Sequence, residues 1–113
     1  MTYSELLAEL NDTGIPFKDT AWATAPKTGA YGVVSFIAEG DSMHASNVKR
    51  VRVSHCSVDL YVRGGNGADS QKLVEQVLHN NRLCWSLNDR LWEDTKDMLH
   101  FDWNVYVEDK SWL

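Results

Sequence analysis

Hydrophobic positions in this chain switch between a helical and an extended period. Leu6, Leu7 and Leu10 recur at helical spacing, with Tyr3 one turn earlier. Thr2 and Glu5 stand three residues apart, so each side chain can meet an orphan backbone N–H of the other. Gly14 and Pro16 supply the stop, which predicts a short amphipathic helix over residues 3–12. "IPFKDTAW" (15–22) is a candidate edge strand, and "ATAPKTG" (23–29) reads as loop. In "YGVVSFIA" (31–38), Val33, Val34, Phe36 and Ile37 occupy both faces of an extended segment. Such a strand is expected to be central, or covered on one side by a partner.

From Asn47 to Arg63 the alternation changes phase. Val51 and Val53 fall on odd positions, Val58, Leu60 and Val62 on even ones. The inward face is therefore expected to switch near "SHCS" (54–57), through a bulge or bend. Seventeen extended residues would span about 55 Å, too long for one compact sheet. The expectation is a long hairpin from 31–38 to 47–63 whose outer part projects beyond the core.

"RGGNGAD" (63–69) leads into a second helix, capped by Asp69 or Ser70 and striped by Leu73, Val74, Val77 and Leu78. "LCWSL" (83–87) is predicted as a short strand, and "NDRLWEDTKD" (88–97) as a polar, acidic connection. In "MLHFDWNVYV" (98–107), Leu99, Phe101, Trp103, Val105 and Val107 alternate unbroken with polar or amphipathic neighbours. That is a strand with one dry face. One-sided strands and striped helices bury each other best in two layers. The predicted fold is α+β: a two-layer sandwich with a mostly antiparallel sheet of four to five strands, two helices on one face and a projecting β-hairpin. Residues 1–113 are read as one domain with a short tail over 108–113.

Composition narrows the function. A net charge of −5 and a pI near 5.2 disfavour binding of nucleic acid or an anionic membrane through basic residues. The basic cluster "KRVR" (49–52) is too small to act alone. No apolar run approaches the roughly 20 residues of a membrane span. "MTYSELLAEL" lacks the basic start and long apolar stretch of a signal peptide, so an intracellular setting is expected, with Cys56 and Cys84 reduced and buried.

Candidate chemistry is sparse. The strand–glycine loop–helix order of 58–78 is that of a phosphate cradle, but no Gly-Lys-Ser/Thr follows Gly64, Gly65 and Gly67, and Lys72 lies about a turn too late. Asp69 would place negative charge where an anion would sit. His44, His55, His79 and His100 show no paired-ligand spacing and read as isolated histidines. Asp89, Glu93, Asp94 and Asp97 read as a solvated turn. No catalytic, cofactor or metal residues are assigned. Five tryptophans are many for so small a domain. Trp103 belongs to a dry strand face, whereas Trp22, Trp92 and Trp112 adjoin polar residues. Each of those either folds back onto the core or serves a protein contact.

The order of "LLAELNDTGIPF", "YGVVSF", "VDLYVRGGNGADSQKLVEQVL" and "MLHFDWNVYVED" resembles small tail-completion proteins of long-tailed bacteriophages, also called tail terminators or head–tail joining proteins. Thr13 to Pro16 match that family's T-G-[IL]-P step, and Val58 to Tyr61 its V-[DE]-L-Y strand. The resemblance spans residues 5–109. It implies a non-enzymatic virion protein of the tail or neck, assembled in the host cytoplasm. Six copies would close into a ring on the tail tube, stop its growth and meet the head connector or stopper protein. DNA would pass the lumen unbound, and neither cofactor nor membrane is implied. On that resemblance the interface residues are Asp41, Met43, His44, Lys49, Arg50 and Arg52 of the projecting arm, with Trp112 of the tail. The alternatives are another neck or tail-tube component of the same architecture, and a small intracellular protein-binding adaptor.

Overall fold

A computed structural model describes residues 1–39, 43–45, 48–64, 67–94 and 97–109. These residues form helices α1 (Tyr3–Asn11) and α2 (Gly67–Asn80). They also form strands β1 (Phe17–Asp19), β2 (Ala30–Glu39), β3 (Met43–Ala45), β4 (Val48–Arg63), β5 (Cys84–Glu93) and β6 (Met98–Asp109).

Helix α1 starts as its sequence dictates. Thr2 Oγ1 accepts from the Glu5 N–H at 3.1 Å, and Glu5 Oε1 accepts from the Thr2 N–H at 3.0 Å. Its C-terminal Asn11 then clamps the next strand: Phe17 N–H donates to Asn11 Oδ1, and Asn11 Nδ2 donates to Phe17 O. β1 pairs in parallel with β2; the other pairings are antiparallel, in the order β1-β2-β4-β6-β5. Leu6 and Leu10 of α1 and Val74 and Leu78 of α2 pack with Val34, Cys56, Val58, Leu60, Phe101, Trp103, Val105 and Val107 in one core. Both helices therefore cover the same face of the sheet, which is the predicted two-layer α+β sandwich.

β3 prolongs the line of β2. Glu39 is aligned with Ser54 of β4, and Ala45 with Val48, so one interrupted antiparallel ladder runs from the sheet out to the hairpin end. Among the described residues, β6 accompanies β4 as far as Arg52, opposite Asp109. Among the described residues, β4 beyond that point has β3 as its only strand neighbour. The chain accordingly measures 53 × 24 × 24 Å, with a radius of gyration of 15.1 Å. About 13 Å is usual for 100 compact residues.

Several expectations need correction. The inward face of β4 does not switch at 54–57. Ser54, Cys56, Val58, Leu60 and Val62 are all buried in one phase, and Val53 lies on the other face. The irregularities sit instead at Ile37, between Phe36 and Ala38 of β2, and where β3 meets β4. β2 is not central along its whole length. β1 reaches only as far as Val34, and Phe36 and Ile37 beyond it are 54% and 53% exposed.

The predicted connection 88–97 is mostly strand. β5 runs to Glu93, with a register shift between Leu87 and Asp89 that hides its alternation from a period-two reading. Helix α2 begins at Gly67, ahead of the expected caps. Gly67 is buried where a methyl group would lie 2.7 Å from Leu99 Cδ2. Leu73 is exposed rather than part of the buried stripe, and Cys84 is exposed, unlike the buried Cys56.

Candidate functional site

Alternation along four strands builds the second face of the sheet, which neither helix covers. Register stacks its residues into rows. One row is Tyr31, Tyr61, His100 and Leu91; the next is Val33, Asp59, Asp102 and Asp89; the next is Ser35, Ser57, Asn104 and Ser86. The first row is an aromatic ladder. Tyr31 stacks on Tyr61 at 5.1 Å between centroids, and Tyr61 on His100 at 4.3 Å. Trp22 meets Tyr31 edge-on, and its Nε1 donates to Gly32 O at 2.9 Å. Trp22 thus folds back onto the sheet, and Trp103 is core as its strand pattern required.

The second row sets like charges opposite one another, which is unfavourable unless neighbours offset it. Here they do. Ser57 Oγ lies 3.0 Å from Asp59 Oδ2 and 3.0 Å from Asp102 Oδ1, and Asn88 Nδ2 donates to Asp102 Oδ2. His100 binds Asp59 Oδ1 through Nε2 at 2.8 Å and Glu93 Oε1 through Nδ1 at 2.9 Å. The hydrogen bond to Asp59 raises the His100 pKa above its ordinary value; burial opposes this, and the charges of Asp59 and Glu93 reinforce it. Burial, with the nearby carboxylates behind it, pushes Tyr61 up to about 12.

Sequence reasoning missed this cluster. Asp59, Glu93, His100 and Asp102 are scattered along the chain, and only strand register gathers them. The acidic run does not form one solvated turn, since Asp89 and Glu93 belong to β5 and Glu93 holds His100. Nor are His55 and His100 isolated: His55 Nε2 lies 3.0 Å from Asn104 Oδ1 and its ring stacks on Tyr106.

As a reacting centre the arrangement has little to offer. Both nitrogens of His100 are already engaged by carboxylates. Cys56 is on the helix-covered face, away from its neighbour His55, and burial pushes its thiol up to about 11. Gly64 turns the chain at φ +51 before α2; Gly65 and Asn66 lie outside the described residues. Among the described residues, no group of three or more His, Cys, Asp or Glu is placed to hold a metal ion, and no helix is long and apolar enough to cross a membrane.

Apart from Leu73 on α2 and Tyr106 on β6, the exposed large hydrophobic side chains of the described residues lie at the two edges of the sheet. β5 has β6 as its sole strand neighbour among the described residues, and its Leu87, Leu91 and Trp92 are 38%, 40% and 50% exposed. Phe36 and Ile37 mark the opposite edge. Of the predicted contact residues, Met43 and His44 belong to β3 and Lys49, Arg50 and Arg52 to β4, so the fold does bring these five to one hairpin. Asp41 and Trp112 lie outside the described residues.

The fold and these surfaces define a class: a two-layer α+β domain with one helix-covered face, one polar and aromatic face, and two open sheet edges. No protein-family model matches the chain, and no curated protein matches its sequence.

Proposed function

We propose that this chain is a structural subunit that caps the head-proximal end of a bacteriophage tail tube as a ring of six copies, ending tube growth and joining the tail to the head connector. The observation that carries the proposal is the ten-residue edge strand β5 with Leu87, Leu91 and Trp92 exposed. Monomeric proteins guard long edges with charges, prolines or covering segments, because an open edge is a template for pairing. Here charges are present in Asp89, Arg90 and Glu93, yet large apolar side chains stay in water between them, and such side chains are the kind found at the centres of protein contacts. β3 and the outer end of β4, paired with each other past the last β4–β6 pair at Arg52, add a second stretch of backbone beyond the main sheet. A heterologous contact, in which one surface meets a different one, closes into a ring when the rotation permits. The resemblance to tail-completion proteins supplies the particular assembly.

The experiment is tube growth in vitro. Tail-tube subunits polymerised with increasing amounts of this protein are expected to give shorter tubes carrying ring-shaped density at one end. Unchanged length distributions and bare ends at saturating protein would refute the capping function. Pull-down of an unrelated host protein with no effect on tubes would favour the adaptor reading.

A further inference from the structure

The sheet ends in two open edges on opposite sides, and they match in several ways. On one side is β5. On the other is the line formed by residues 35–38 of β2 and by β3, which β1 does not reach. Both edges carry exposed large apolar side chains on the helix-covered face. Phe36 is aligned with core residue Cys56, while Leu87 and Trp92 are aligned with Trp103 and Leu99. Beside Phe36 lies an open recess of about 530 Å³, bordered also by Tyr3, Ser54 and Val107.

Strand direction matches as well. β2 and β6 run one way, and β4 and β5 the other. A second copy placed beside β5 with its helices on the same side would present its own β2–β3 line antiparallel to β5. This is the better-paired arrangement for a new seam.

We infer that β5 of one copy pairs with the β2–β3 edge of the next, extending the sheet from subunit to subunit and enclosing Phe36 between Leu87 and Trp92 of its neighbour. The inference rests on the ring reading only in taking the partner to be a second copy of this chain. A symmetric β5-to-β5 pair would cover one edge and leave Phe36 and Ile37 in water. The head-to-tail seam covers both. It also places the Asp59–Asp102–Asp89 rows of successive copies on one common face, opposite the helices.

Cysteine cross-linking tests the seam. In a Cys84→Ser background, chains carrying Phe36→Cys are mixed under mild oxidation with chains carrying Leu87→Cys or Trp92→Cys. All three sites are exposed, and each variant is checked by thermal melting before use. The seam predicts that linked pairs between different variants exceed pairs within one variant by at least tenfold. Pairs confined to chains carrying Leu87→Cys or Trp92→Cys would overturn it in favour of a symmetric dimer. Absence of cross-links, with and without tube ends present, would overturn it too. Tube shortening by a protein that forms no such pairs would leave the capping function standing and remove only the seam. Cross-linked chains that never shorten tubes would do the reverse.

Discussion

Replacing Gly32 with alanine tests the packing that ties the N-terminal segment to the sheet. A methyl carbon at Gly32 would lie 2.0 Å from Phe17 Cε1 and 2.3 Å from Cδ1, where carbon atoms normally stay 3.5–4.0 Å apart. The two residues are aligned across the parallel β1–β2 pair, so the ring lies over the space that a side chain would fill. Phe17 cannot retreat easily. It is buried, and Asn11 holds its backbone from both sides. The ring must be displaced or swung outward. Overpacking of this kind costs about 1–3 kcal/mol, and full exposure of a phenylalanine about the same. Gly32→Ala is therefore expected to destabilise the fold by about 2 kcal/mol and to lower the melting midpoint by roughly 10 °C. The assay is urea and thermal unfolding followed by circular dichroism, completed as a double-mutant cycle with Phe17→Ala. Once the ring is gone, the three atoms nearest to a methyl group at position 32 are gone with it, so the second substitution should add about 0.5 kcal/mol or less. A Gly32→Ala variant as stable as the parent, or costs that simply add, would refute the reasoning.

Other predictions rest on single groups. Trp103 Nε1, in the core, donates to Glu75 Oε2 at 3.0 Å, so Glu75→Ala should cost about 1–3 kcal/mol in urea unfolding, with Glu75→Gln recovering most of it. The pKa of His100 is raised on folding, so its ion pairs add stability that is full below about pH 6.5. That stability is lost as pH rises through the higher folded value. The advantage of the parent over His100→Gln in urea midpoint should therefore be larger at pH 6 than at pH 9, and an equal gap at both would contradict it. Cys84 should react with a thiol reagent at once and Cys56 only on unfolding, since one is exposed and the other buried. Two fast thiols in the native protein would overturn that assignment.

Local pattern was a reliable guide where one element's own neighbours decide its state. The Thr2–Glu5 cap sits within a single turn of chain, and Phe101, Trp103, Val105 and Val107 of the dry stripe are all buried, with Leu99 half-buried at its end, so both were legible. β5 was only half legible. The extra residue at Asn88 exchanges its faces, placing Leu87 and Trp92 on one side although their numbers differ in parity. The same limit led to the expected face switch at 54–57, which β4 does not make; the irregularities lie in the pairing with its neighbours, at Ile37 of β2 and where β3 meets β4.

By itself, then, the sequence determined the layer count, the two helices, the core strands and the hairpin, because hydrophobic period and capping act over a few residues. Tertiary structure alone decided which strands lie at the edges, and so where apolar side chains remain in water. It alone brought Asp59 and Glu93, 34 positions apart, onto the two nitrogens of His100, and set Asp102 opposite Asp59. Cross-strand distance depends on register, and register is settled by the whole sheet packing at once.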